Sequence, residues 1–145
     1  MSDIILSDDR GRLQVERIHR WLASSYWSPG IDRNTVERAI AGSHPLGAYD
    51  GEEQVGFARM ITDRATFAWL ADVWVTQERR GQAIGRRMVQ WFIDHPDYAG
   101  LRRIALVTLD AHGVYEPLGF HTPIRPQNYM ERLDPEAAAR LAALP

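Results

Sequence analysis

Hydrophobic and polar positions alternate with two different periods along the chain, and the switches between them mark out the elements. Asp3 to Ser7 has the apolar content and length of a short first strand, and Arg12 to Ser25 then places Leu13, Ile18, Trp21 and Leu22 at an irregular helical spacing. Tyr26-Trp27-Ser28-Pro29-Gly30 interrupts this with turn residues, and Asp32 or Asn34 can cap a second short helix running to Ala41. From Pro45 the period shortens. Leu46 to Tyr49 and Gln54 to Thr62 flank Asp50-Gly51, a pair suited to the positive φ of a hairpin turn, so two antiparallel strands are predicted. In Phe67 to Thr76, strict alternation would put Phe67, Trp69, Ala71, Val73 and Val75 on one face and Ala68, Leu70, Asp72, Trp74 and Thr76 on the other. That is a central strand, apolar on both sides except at Asp72.

Beyond it, Ile84, Met88, Trp91 and Phe92 recur at helical spacing until His95-Pro96 ends the pattern. Arg103 to Leu109 reads as a further buried strand. Asp110 can cap a short helix with Ala111, Val114, Tyr115 and Leu118 on one face and Gly119 as its stop. His121 to Leu133 can return as strands, and Asp134 can cap a terminal helix of Ala and Leu. The order predicts a single α/β domain over residues 1–145: a mixed, mostly antiparallel central sheet flanked by helices, with one parallel crossover through the helix after the fourth strand.

Composition narrows the chemistry. The 145 residues include no cysteine, which excludes disulfides, thiolate zinc sites and an acyl-cysteine intermediate, and nothing in the sequence calls for a metal. All 17 basic residues are arginine, so no lysine side chain is exposed to acylation. A net charge of −2 supplies no broad field for nucleic acid, and in the N-terminal helices arginines alternate with acids; Arg79, Arg80, Arg86 and Arg87 form a local cluster suited to a small anion. No apolar run approaches the roughly 20 residues of a membrane span, and MSDIILSDDR lacks the basic start and apolar centre of a signal peptide, so a cytoplasmic protein without a membrane partner is expected.

The segment VTQERRGQAIGRRMV carries the most specific chemistry. A strand ends, a loop with Gly81 and Gly85 follows, and an arginine-flanked helix begins. Backbone N–H groups at a helix start lack intrahelical partners and lie at the positive end of the macrodipole, so they bind phosphate oxygens where small residues such as Ala83 and Gly85 allow approach. The competing reading is a tight strand-to-helix turn with no ligand. A nucleotide-hydrolysing P-loop would need Lys and then Ser or Thr after the last glycine, where this chain has Arg86-Arg87, and a Rossmann loop would follow the first strand.

The loop Arg80-Gly81-Gln82-Ala83-Ile84-Gly85 resembles the cofactor signature R/Q-x-x-G-x-G/A of the GNAT family of N-acetyltransferases, preceded by Val75 at the usual interval. Ala83 stands where glycine is usual, so its methyl group is expected to weaken pyrophosphate binding. LDAHGVYEPLGF is similar to the family's second signature, in which a short helix carries a tyrosine ahead of Gly-Phe, and the element order agrees over nearly the whole chain. The resemblance implies a GNAT-like acyl-CoA N-acyltransferase fold and an enzyme that moves an acetyl group from acetyl-CoA to a primary amine by direct attack in a ternary complex. Cofactor contacts would come from the backbone around Val73 and Val75, from Arg80, Gly81, Gln82, Ala83, Ile84, Gly85 and Arg86, and from Tyr115. A backbone N–H on the central strand would steady the oxyanion. Tyr115 holds the family's position for the acid that protonates the thiolate; its alternative is packing on a helix face. Asp72 lies where family members place an acid that binds or deprotonates the acceptor; its alternative is an ion pair with an arginine such as Arg59. His112 is a second titratable candidate beside Tyr115, more suited to capping or solvent. Tyr26 and Trp27 match the region that covers the acceptor, or else they are core aromatics. Family habit adds a homodimer. The rival reading is a non-catalytic acyl-CoA-binding regulatory domain of the same fold.

Overall fold

A computed structural model describes residues 3–145. Five strands, β1 (Ile4–Ser7), β2 (His44–Asp50), β3 (Glu53–Thr62), β4 (Phe67–Val75) and β5 (Arg103–Ala105), form one sheet in sequence order. The first four are antiparallel neighbours, and only β4 and β5 run parallel. That parallel pair is joined by α3 (Ile84–Asp94), as a crossover requires. The mixed, mostly antiparallel sheet with flanking helices is the predicted fold class.

Each face of the sheet is covered by a different part of the chain. Helices α1 (Val15–Ala23) and α2 (Arg33–Ala41) bury Ile18, Leu22, Val36 and Ile40 against Phe57 on one side. Asp32 supplies the cap of α2 by accepting from the Thr35 N–H at 2.7 Å, and the Arg10 guanidinium closes its other end on the Ile40 and Ser43 carbonyls. On the other side α3 buries Ile84, Met88, Val89 and Phe92 against Leu46, Ala48, Ala58, Met60, Ala68 and Leu70. Each large apolar side chain buried in this way, the alanines apart, contributes about 1.5–3 kcal/mol of transfer free energy.

The C-terminal end of α3 closes on a polar cluster. His44 is buried among Trp91, Phe92, His95 and Tyr98, with Nδ1 2.6 Å from the Tyr98 hydroxyl and Nε2 2.9 Å from Asp8 Oδ2. Burial pushes the imidazole below its usual range, against the upward pull of Asp8, and burial pushes the Tyr98 phenol up to about 12. A neutral ring satisfies both neighbours: Tyr98 O–H donates to Nδ1, and Nε2–H donates to Asp8.

Four expectations need correction. First, β4 does not alternate strictly. Register with β3 shifts between Phe57 and Arg59, and Asp72 sits opposite the shift with φ +57, so one extra residue is inserted and the faces exchange. Val73 and Val75 thus join Ala68 and Leu70 on the α3 side, leaving Trp74 on the other. Second, the strand expected over Arg103 to Leu109 pairs only through Ala105, and Val107 is 78% exposed. Third, His121 to Leu133 forms no strand. It is exposed throughout, with one 3₁₀ turn at Pro126–Asn128, and Pro123 and Pro126 remove two of the donors a ladder would need. The short helix α4 (His112–Tyr115) is entered through Ala111, whose N–H is held by Thr108 Oγ1 at 3.0 Å, so Asp110 is not its cap. Asp134 does cap α5 (Pro135–Ala142).

Candidate functional site

The sequence between β4 and α3 folds into a cradle of unpaired amides. Thr76 N–H bonds to Val55 O at 2.9 Å, and a 3₁₀ turn over Gln77–Arg79 follows. The Arg79 guanidinium pairs with Asp50 at the end of β2 and anchors the loop. Arg80 donates from Nε to the Val75 carbonyl at 3.0 Å, and its guanidinium lies 5.0 Å from the centre of the Trp74 ring. The first helical bond of α3 runs from Arg87 N–H to Ala83 O at 3.0 Å, so the N–H groups of Ile84, Gly85 and Arg86 are open. None of the amides from Gly81 to Arg86 has a hydrogen-bond acceptor among the described residues. A cavity of about 370 Å³ lies over them, lined by Val75, Arg79, Arg80, Gly81, Ala83, Ile84, Gly85, Arg86 and Val114. Gln82 is exposed on the same loop but does not line the cavity. A diphosphate fits this chemistry: open donors, a helix dipole and arginines around one cavity.

Ala83 is the exception in the loop. It serves as the N-cap of α3 at φ +62, ψ 21, in the left-handed region, without a side-chain cap bond. A non-glycine residue there costs about 1–2 kcal/mol. The departure from glycine noted in the sequence is therefore a backbone matter as much as one of methyl bulk. Gly85 packs close to the sheet, since a Cβ there would stand 3.8 Å from both Val73 and Val75.

Beside the cradle the sheet opens. The β4–β5 ladder spans only Phe67–Trp69 with Arg103–Ala105, so the Asp72–Val75 stretch of β4 has no strand neighbour on that side. The bulge at Asp72 has turned Val73 and Val75 inward, and their backbone borders the gap. Val114 of α4 lines the same cavity as the loop, while Tyr115, the next residue, does not line it and packs against the α3-side core. Tyr115 packs against Phe120 at 5.9 Å between ring centres, and its hydroxyl has no hydrogen-bond partner among the described residues. Burial raises its pKa, and the neighbouring Tyr26 phenol adds to the rise.

Aromatic side chains wall the far side of the gap. Tyr26 and Trp27 are 40% and 37% exposed, so they are surface aromatics and not core. They meet edge to face at 5.0 Å, and Trp27 meets Trp74 at 6.0 Å. The Tyr26 hydroxyl accepts from the Leu109 N–H at 3.1 Å. Trp27 Nε1–H donates to Asp72 Oδ1 at 2.8 Å, and Arg59 Nε donates to Oδ2 at 2.7 Å, with the Asp72 side chain 12% exposed. The ion pair weighed for Asp72 is therefore present, and Asp72 also fixes Trp27. His112 is exposed at the start of α4 with no bond to the cluster among the described residues. Sequence reasoning missed Trp74, whose Nε1 is buried without a partner among the described residues, and the anchoring pair Arg79–Asp50. Trp74 changed face through the bulge, and only the positive φ of a lone acid in an apolar strand signals that.

Comparison with known proteins gives a consistent picture. The family model described as Acetyltransferase (GNAT) family matches residues 13–120. A protein of the fungus Gibberella zeae named as an acetyltransferase is 31% identical, over 74% of this chain and 73% of its own. The crystal structure of an acetyltransferase of the GNAT family from Xanthomonas campestris pv. campestris superposes with a TM-score of 0.89 at 42% identity, covering 93% of this chain and 96% of that one. A Clostridium acetobutylicum acetyltransferase solved with acetyl-CoA shares the fold at a TM-score of 0.66 and 17% identity, over 92% and 96% of the two chains. No helix among the described residues is long and apolar enough to cross a membrane.

Proposed function

Because the chain belongs to the GNAT acetyltransferase family, we propose that it is an N-acetyltransferase taking acetyl from acetyl-CoA to a primary amine, small-molecule or peptide, by direct attack. The observation that carries the reading is the run of unpaired amides from Gly81 to Arg86 beside the unpaired edge of β4. Acetyl-CoA, which supplies a thioester activated for acyl transfer, would be held by those amides and by Arg80 and Arg86, with the backbone of Val73 and Val75 along its arm. That a Clostridium acetobutylicum protein of this fold was solved with acetyl-CoA supports the assignment.

Each residue then has a task. The open strand edge offers backbone N–H groups that can steady negative charge developing on the reacting carbonyl. Tyr115, kept protonated by burial, donates its proton to the departing thiolate. Asp72 positions Trp27 as a wall of the acceptor site, and its oxygens retain lone pairs that can receive the acceptor ammonium and take its proton, directly or through water, so that the neutral amine attacks the thioester. Tyr26 and Trp27 provide cation–π and apolar contact for that amine. A chain without cysteine has no thiol to form an acyl-enzyme, which favours one-step transfer.

The test is thiol release from acetyl-CoA across a panel of primary amines, run beside calorimetric titration of coenzyme A. Binding together with amine-dependent release is expected. Binding without release for any amine would assign the chain to the non-catalytic acyl-CoA-binding alternative, and absence of binding would remove the reading altogether.

A further inference from the structure

Donors of the kind that bind metals meet, from three distant stretches of the chain, at the C-terminal end of α3. Asp8 follows β1, His44 opens β2, and His95 is the residue on which α3 ends. One carboxylate oxygen of Asp8 and one ring nitrogen of each histidine lie within 4.8 Å of one another. Positions 8, 44 and 95 share no local motif, so no spacing in the sequence points to them. Packing and hydrogen bonding alone ask for less than this. Tyr98 and Asp8 already satisfy both nitrogens of His44, yet His95 brings a second imidazole, whose ring has a single hydrogen bond among the described residues, from the Asp97 N–H to Nδ1 at 3.1 Å. Two carboxylates face these rings. Asp8 does so directly, and Asp97 places Oδ2 3.9 Å from His95 Nδ1 while pairing with Arg64 at 2.7 Å.

We propose that Asp8, His44 and His95 form a binding site for one divalent transition-metal ion of the zinc class. Two imidazoles and a carboxylate are a donor set that such ions take, whereas Ca²⁺ and Mg²⁺ require oxygen ligands throughout. The ion takes the place held in the metal-free chain by the proton between His44 Nε2 and Asp8 Oδ2, atoms 2.9 Å apart. His44 then passes to its other neutral tautomer, in which Nδ1–H donates to the Tyr98 oxygen across the same 2.6 Å contact and holds the ring toward the ion. At metal–ligand distances of about 2.0–2.1 Å, tetrahedral ligand atoms stand about 3.3 Å apart, so a separation of up to 4.8 Å has to shrink by no more than about 1.5 Å. Room for that movement lies with Asp8 and His95, whose side chains are 45% and 22% exposed; His44, at 3%, is the fixed member. Trp91, Phe92 and Tyr98 pack around the His44 ring and shield that side of the site from water. A bound ion ties the segment ahead of α1 to β2 and to the end of α3. The 11-residue helix separates it from the amide cradle by about 16 Å, so the site is independent of the acyl-CoA reading.

The experiment is calorimetric titration of the full chain, stripped with EDTA, with Zn²⁺ at neutral pH, read beside thermal unfolding. One ion per chain is expected to bind at this site, and a free concentration about 100 times the dissociation constant should raise the unfolding temperature by about 5–10 °C. Asp8→Asn keeps an acceptor for His44 Nε2–H but removes the ligand charge, and His95→Gln removes the second imidazole. Each variant should retain the circular dichroism of the parent and lose at least the roughly 10–100-fold in Zn²⁺ affinity that a mere hydrogen-bond partner of a ligand is worth. Co²⁺ in place of Zn²⁺ should give the visible absorption of a low-symmetry site, absent from the Asp8→Asn/His95→Gln chain. Lack of both heat and thermal shift at millimolar Zn²⁺ overturns the proposal. So does an affinity unchanged in Asp8→Asn and in His95→Gln, which would place the ion on exposed histidines such as His112 and His121.

Discussion

At its C-terminal end α3 meets His44, whose two ring nitrogens are taken by Tyr98 and Asp8 inside an aromatic shell. At its N-terminal end the same helix presents amides without acceptors among the described residues, a cap residue in a disfavoured conformation and arginines around a cavity. One end has its polar groups paired by the chain; the other leaves them for something else. Unsatisfied donors are costly when buried and tolerable at a water-filled cavity, so the open end can persist only where solvent or a ligand fills it. The contrast separates residues that keep the fold from residues that are available for chemistry.

Substitutions at the two ends should therefore fail in different ways. The largest effect is expected beside the open end: Tyr115→Phe should lower kcat by about 10²–10⁴-fold, the usual worth of a general acid, while the unfolding free energy shifts by no more than about 0.5 kcal/mol. A large stability loss with unchanged turnover would assign Tyr115 to packing instead. At the closed end His44→Ala should cost about 2–4 kcal/mol of stability through a cavity and an orphaned Tyr98 hydroxyl, with coenzyme A affinity of the folded protein unchanged. The same residue sets a pH dependence. Because the folded state holds His44 below its unfolded value of about 6.5, the unfolded chain binds the proton more readily. Stability is therefore full above that value and falls as pH drops from it through the folded pKa. Denaturant melts between pH 7 and 5 should show this slope, and His44→Asn should flatten it; an equal slope in the variant would place the titration elsewhere.

Smaller effects return to the open end. Arg86 lines the cavity and makes no bond within the described chain, so Arg86→Glu should weaken coenzyme A binding about 10–100-fold, as expected for one charge-assisted contact of about 1.5–3 kcal/mol. Thermal unfolding without ligand should not move. Smallest is Ala83→Gly, which relieves the positive φ and should raise stability by about 0.5–1 kcal/mol after the added freedom of the unfolded chain is counted. Calorimetry should also register tighter coenzyme A binding, and a destabilised variant would show that the Ala83 conformation is not strained.

The local signals were sufficient for the longer helices, for the β2–β3 turn and for the cradle. Asp32 ahead of α2, Asp50-Gly51 between β2 and β3, Asp134 ahead of α5 and the small residues ahead of α3 each act through hydrogen bonds or φ preferences within a few residues, and each is legible in the sequence. The extent of β5 and the failure of 121–133 to pair were not, because a strand needs a neighbour and no local spacing states whether one is available. The same holds for the aromatic wall of Tyr26, Trp27 and Trp74. One residue inserted at Asp72 exchanged the faces of β4, which sent Val73 and Val75 toward α3 and set Trp74 beside Trp27. The sequence by itself determined which short segments bend, cap or leave amides open. Only the tertiary structure decided which face each side chain takes and which strand edge stays bare, since both depend on register between segments far apart in the chain.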